Sequence, residues 1–319
     1  MKRYLRILFW TMAVALMPMH IFAQQAASHA DSLQTDTLQP DIKPEPDRSA
    51  EDFVFASLCI ADPTDQSQDY LGISGHAFLR LQCPYYGLDY CFSYESEKIK
   101  GQLFDFLTGD LHMGMFAIPT KVYIQDYQKW QRAVHEYHIT MPPAAEQRLW
   151  EQMDNHMLSE RELQMNLVRF GCTNTLLRYV EQALKPDTII YGELQEKYYT
   201  QSALDIMTAH YSESYPWTAL GTRLFLGKEL SQYTKPKQKI IMPTDLLDVW
   251  SRATINGEPL LTYVGDLVEA EPVKPQKPWF TPIVCAIMIF VLLVALVVWL
   301  VVSRGRKPSA TEAAKHKHK

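Results

Sequence analysis

The sequence predicts an α+β body, with an antiparallel sheet packed on helices, followed by one C-terminal transmembrane helix. Three observations carry that expectation. Apolar runs compatible with strands, FVFASLCI, GHAFLRLQ and YCFSYE, crowd the early body, the last two separated by the turn-like PYYGLD. Further along, the spacing becomes helical: Leu149, Trp150, Met153 and Met157 form one apolar stripe, and Leu176, Leu177, Val180 and Leu184 another. Finally, Phe280–Val302 is an almost unbroken apolar run without a charged residue, long enough to cross roughly 30 Å of hydrocarbon as a helix.

The ends set the organisation. Residues 1–23 read as a secretory signal peptide: a basic start (Lys2, Arg3, Arg6), an apolar stretch to Phe22, and the small Ala23 before Gln24. Pro18 and His20 interrupt that stretch and argue against a retained anchor. Residues 24–52 are polar and rich in Asp, Gln, Ser and Pro. They bury too little apolar surface to offset ordering entropy and are expected to be a disordered linker. The body is then 53–267, ample for one core, and 268–279 form a proline-containing stalk leading to the span 280–302. Arg304, Arg306 and Lys307 open the tail 303–319 and mark a cytoplasmic side. The expected topology is single-pass, with the body outside the cytoplasm and the basic C-terminal tail inside. A net charge of −5 argues against a nucleic-acid surface.

Within the body, Phe53–Ile60 is expected to be a buried strand and Asp62–Tyr70 a polar loop. On Gly75–Gln82, Ala77, Leu79 and Leu81 take one side and His76, Phe78 and Arg80 the other. On Tyr90–Glu95, Cys91, Ser93 and Glu95 share a face. The short turn makes these two strands antiparallel neighbours. Ile99–Pro119 has no clean period and reads as irregular structure, with His112 a loop or surface histidine. Lys121–Arg132 suits a helical turn or two. Ala133–Thr140 alternates as a strand, with His135 and His138 on opposite faces and outside any metal spacing. Pro142 and Pro143 suit the start of a helix to about Leu158. Asn166–Phe170 leads into Cys172 and the helix Thr173–Leu184. The remainder reads as mixed helices and loops.

The five cysteines are Cys59, Cys83, Cys91, Cys172 and Cys285. Cys59 lies in an apolar strand and reads as a core thiol. Cys83 and Cys91 flank the turn, which leaves open a bridge across the hairpin. Cys172 differs because it opens a helix. Unpaired N–H groups and the helix dipole favour negative charge there, so its pKa should fall. An imidazole in reach would make it an activated nucleophile, and His76 is the candidate. Ser93 and Glu95 are the nearest residues that could orient the His76 ring. The alternative is an inert, buried or disulfide-bonded Cys172. The sequence holds no Gly-rich phosphate loop, metal cluster or serine nucleophile elbow, so no cofactor and no metal are expected.

A GH-bearing strand, a second strand and a later helix-opening cysteine resemble the papain-like site in permuted order, as in the permuted NlpC/P60 group. More closely, the chain resembles the family of the Lnb N-terminal periplasmic domain. The likeness runs through GHAFLRL, the YCFSYE strand, YHITMPPAAEQRLW, NLVRFGCTNTLLRYV, SYPWTALGTRLFLG and IMPTDLLDVW to NGEPLL. It implies a circularly permuted papain-like fold, with His76 at the family's histidine position and Cys172 at its nucleophile position. One departure is Gly171, where family members commonly carry Asn. The resemblance implies a membrane-anchored cysteine acyltransferase or hydrolase of the bacterial inner membrane, with its body in the periplasm and its C-terminus cytoplasmic, acting through a thioester on lipoprotein acyl groups. Cell-wall peptide amidase activity and a non-catalytic envelope binding or scaffold module are the alternatives.

Overall fold

The computed structural model describes residues 54–64, 72–96, 112–159, 163–164, 171–272 and 277–305. The expected signal peptide, the linker, Asn166–Phe170 and the tail from 306 lie outside them. The described strands are β1 (Phe55–Ala61), β2 (His76–Cys83), β3 (Leu88–Ser96), β4 (His112–Pro119), β5 (Val134–Ile139), β6 (Leu163–Gln164), β7 (Thr254–Ile255), β8 (Glu258–Pro259) and β9 (Leu261–Val268). The helices are α1 (Thr120–Lys129), α2 (Pro143–Ser159), α3 (Cys172–Leu184), α4 (Glu196–Thr200), α5 (Ala203–Ser212), α6 (Pro216–Gly221), α7 (Gly227–Leu230), α8 (Pro243–Ser251) and α9 (Pro282–Gly305). The chain divides into two units, Met1–Ile206 with Lys228–Lys274, and Met207–Gly227 with Pro275–Lys319.

In the first unit seven strands form one antiparallel sheet in the order β6-β4-β3-β2-β1-β5-β9. Alternation sorts its side chains onto two layers. Ala56, Leu58, Ile60, Ala77, Leu79, Leu81, Phe92 and Tyr94 join Leu149 and Met153 of α2, Leu176 and Val180 of α3, and Leu246 and Trp250 of α8 in the larger core. On the other side Cys59, Ala61, Phe78 and Cys91 meet Tyr123 and Tyr127 of α1 in a smaller one. A one-residue slip of any central strand would exchange these layers, so the register is strongly specified. His156 of α2 adds a polar pin to the larger core: its two ring nitrogens lie 2.7 Å from the Tyr94 hydroxyl and 2.6 Å from the Tyr179 hydroxyl.

Several local readings need correction. Residues 112–119 form strand β4, paired along its length with β3, where irregular structure was expected. Glycine, methionines and a terminal proline hide the alternation, and pairing with β3 supplies what pattern does not. His112 opens that strand. Helix α1 is a full ten residues rather than a turn or two. Cys83 and Cys91 carry free thiols: Cys83 faces Leu88 and Cys91 faces Arg80.

Two features position the end of β2. Gly75 has φ +76°, and its N–H closes a 3₁₀ turn onto the Gly72 carbonyl at 3.0 Å. A Cβ there would stand 3.0 Å from the Ala61 carbonyl oxygen. This glycine swings the chain into β2 and sets His76 at its first position. Further along, Arg80 Nε and Nη2 bond Asp89 at 2.8 and 2.6 Å, and Nη1 bonds Glu136 at 2.8 Å, tying β2 to β3 and, across β1, to β5.

In the second unit, Pro282–Ser303 within α9 has a mean hydropathy of 3.3 and is long and apolar enough to cross a membrane.

Candidate active site

Arg80 of β2 faces Cys91 of β3. Counting back by twos reaches Phe78 and His76, and counting on by twos reaches Ser93 and Glu95, so His76, Ser93 and Glu95 share one face of adjacent strands. Their side chains meet. His76 Nε2 lies 2.7 Å from Ser93 Oγ, and Ser93 donates to Glu95 Oε1 at 2.8 Å. Glu95 Oε1 stands 3.7 Å from His76 Nε2, beyond a direct hydrogen bond. Tyr123, reaching in from α1, donates toward Ser93 Oγ at 2.9 Å and also toward Glu95 Oε1.

This network favours one histidine tautomer. A serine hydroxyl has one proton. Ser93 gives it to Glu95, so Oγ receives the His76 Nε2–H. The other nitrogen, Nδ1, is left as the basic face of the ring.

Cys172 supplies the partner. It is the first residue of α3, preceded by Gly171 in extended conformation with no side-chain cap. The Thr175 N–H bonds the Gly171 carbonyl at 3.1 Å. The N–H groups of the turn before it are orphan donors, as at any helix start. The half-buried thiol sits 3.8 Å from Thr173 Oγ1 and interacts electrostatically with the His76 ring. Burial alone would raise its pKa. The His76 hydrogen bond and charge, the Ala77 backbone N–H and the Thr173 hydroxyl instead bring it below the ordinary 9.0. Burial likewise works against a charged imidazole, yet the bond to Cys172, the thiolate charge and Glu95 lift His76 above its ordinary 6.5. Both directions favour a thiolate–imidazolium pair, which can attack an electrophilic carbonyl.

Residues 64–198 match the family described as the Lnb N-terminal periplasmic domain. This segment belongs to that family. No curated protein and no solved structure matches the chain. The Lnb segment contains His76, Ser93, Glu95, Tyr123 and Cys172. Strands β1 and β9 and helix α8 complete the same sheet and core from outside it. The family's periplasmic description and the apolar helix α9, the one candidate span among the described residues, fit a membrane-associated envelope protein.

Two other histidines of the Lnb segment, His135 and His156, stand apart from this cluster. His135 Nδ1 bonds Asp266 Oδ1 at 2.6 Å, and its Nε2 lies 3.3 Å from Asp62 Oδ1, in a surface clamp between β5 and β9. His156 serves the core. Among the described residues no group of His, Cys, Asp or Glu has the arrangement of a metal site.

Two residues near the cluster escaped the sequence reading. Tyr123 is buried, and its phenol pKa is pushed well above 10.0 by burial and by Glu95, so it remains a proton donor. Arg132 is also buried, donates Nε–H to the Asp62 carbonyl at 2.6 Å, lies over the Tyr127 ring, and by its charge opposes protonation of His76. The i,i+4 spacing of Tyr123 and Tyr127 on one helical face was the available signal for the first. Arg132 left none.

Proposed function

We propose that this chain is a membrane-anchored cysteine acyltransferase or hydrolase, built on a permuted papain-like, NlpC/P60-type body. The observation that carries the reading is the hydrogen-bonded series His76–Ser93–Glu95, with the helix-opening Cys172 thiol held below its ordinary pKa by the His76 ring. The proposed topology places the body in the periplasm and the basic tail in the cytoplasm, following a cleaved signal peptide and a linker.

In this mechanism His76 Nδ1 accepts the Cys172 proton and the thiolate attacks an ester or amide carbonyl carbon. The carbonyl π pair moves to oxygen, and the Cys172 backbone N–H at the helix start is placed to donate to that oxyanion. As the tetrahedral centre collapses, the bond to the alcohol or amine breaks and His76 returns the proton to that leaving group. The acyl group remains as a Cys172 thioester. An incoming amine or water then loses its proton to His76, attacks the thioester, and releases the thiol. Ser93 and Glu95 hold the ring and stabilise its charged form throughout.

The substrate class we favour is the acyl groups of bacterial lipoproteins. A span through the same membrane raises the effective concentration of a lipid-anchored substrate. The same chemistry would cut an amide of cell-wall peptide, so both substrates belong in the test. The experiment is iodoacetamide labelling of the full chain in detergent across pH 4–9, with the modified cysteine mapped by mass spectrometry. Rapid labelling of Cys172 below pH 7 that slows in His76→Ala supports the pair, and turnover is then compared on a lipid ester and a muropeptide. An ordinary thiol profile, unmoved by the substitution, leaves a tethered binding module instead.

A further inference from the structure

In the second unit, two segments far apart in sequence are pinned together just before the apolar helix begins. Trp217 donates its indole Nε1–H to the Phe280 carbonyl at 3.0 Å. The two rings lie 5.5 Å apart with an interplanar angle of 31°. Lys277 Nζ stands 3.5 Å from Glu213 Oε2, adding an ion pair to the same junction. Phe280 lies two residues ahead of Pro282, where the membrane-spanning candidate starts. Helix α6 and the π-helical turn Thr222–Leu226 that follows are thereby held beside the point where the chain would enter the bilayer.

That run shows solvent three large apolar side chains, beside the exposed Thr218 and Arg223. Ala219, Thr222 and Leu226 turn inward, whereas Trp217 is 43%, Leu224 68% and Phe225 54% exposed. Trp279 adds a further exposed ring at the same end of the span. Clustered large apolar side chains on a water-facing surface mark an interaction site. An indole beside the end of a span is the side chain enriched at headgroup level, because its body is apolar and its N–H needs a partner.

We propose that Pro216–Leu226 is an interfacial docking segment whose Trp217, Leu224 and Phe225 sit in the headgroup–acyl boundary of the bilayer that Pro282–Ser303 spans. The occupant of this face is lipid, by continuity with the span: the pin to Phe280 leaves the face at the depth where the helix emerges. The chain then holds its membrane by a span and a shallow foot rather than by the span alone. The inference rests on the span and is independent of the cysteine chemistry.

The test uses the full chain in vesicles of phosphatidylethanolamine and phosphatidylglycerol doped with a phospholipid bearing a diazirine close to the glycerol end of one acyl chain. After illumination, lipid adducts are mapped by mass spectrometry, with the Pro282–Ser303 peptide as internal reference. Adducts on the Pro216–Leu226 peptide are expected in the unsubstituted protein. The double substitution Leu224→Asp and Phe225→Asp should lower them roughly tenfold relative to the span peptide, because two large apolar side chains leave the apolar phase. Adducts confined to the span peptide overturn the proposal, as does cross-linking of Pro216–Leu226 to a second copy of the chain in place of lipid.

Discussion

His76 Nε2 and Ser93 Oγ meet at 2.7 Å across adjacent strands, and with Ser93 donating to Glu95 this contact favours Nδ1 as the basic nitrogen of the imidazole. Glu95 cannot replace the serine directly, because its nearest oxygen is 3.7 Å from the same nitrogen.

Ser93→Ala should therefore leave the Nε2–H without an acceptor and the tautomer unfixed. Alkylation of Cys172 at pH 6 is expected to slow by roughly tenfold or more, the cost of a hydrogen bond to a charged group. Ser93→Thr, which keeps the hydroxyl, should recover most of the rate. Equal rates in Ala and wild type would remove the serine from the relay.

Tyr123 acts one step further out. Tyr123→Phe removes the donor to Ser93 and Glu95 while keeping the ring that meets Phe78 edge-on at 5.0 Å. The core should tolerate the change, with a loss of about 1 kcal/mol. The pH profile of Cys172 alkylation should move upward by less than in Ser93→Ala. A changed melting temperature with an unmoved profile would mark Tyr123 as structural only.

The direction of the His76 titration is testable by imidazole ¹⁵N resonances. Its pKa is raised above 6.5 chiefly by Cys172, against the opposing effect of burial. Cys172→Ser removes the thiolate, so the His76 value should fall and its contribution to stability with it. In the unsubstituted chain that contribution is complete below 6.5 and is lost as pH rises through the raised value. A value unchanged by the serine substitution would mean that Glu95 alone sets it.

Gly75→Ala tests how β2 is aimed. The left-handed φ of +76° and the Ala61 carbonyl 3.0 Å from the added carbon both oppose it. A destabilisation of about 1–2 kcal/mol is expected from the conformation alone, read from denaturant melts. Slower Cys172 labelling should accompany it, because His76 is the next residue.

How much of this was legible in the sequence depended on where each pattern came from. Strands β2 and β3 alternate between the larger core on one side and the smaller core with the site on the other, so the shared face of His76, Ser93 and Glu95 could be counted off the sequence. Helix α3 announced itself by its apolar stripe and by Gly171–Cys172 at its start. Strand β9 was missed because most of its side chains are exposed at the sheet edge, leaving no alternation to read. Strand β4 was missed because pairing, more than side-chain pattern, holds it. Tyr123 could be seen on a helical face, but its hydroxyl finds Ser93 and Glu95 only when α1 packs against the sheet.

The burial of the remaining body thiols has a redox consequence. Cys59, Cys83 and Cys91 lie inside the sheet; burial raises the Cys59 pKa and pushes that of Cys91 up to about 12. Oxidants react with thiolate, so in an extracytoplasmic setting peroxide would find Cys172 first. A sulfenic acid formed there would have no resolving thiol among those sequestered in the sheet. Peroxide treatment is then expected to drive Cys172 to the sulfinic state rather than into a disulfide with Cys59, Cys83 or Cys91.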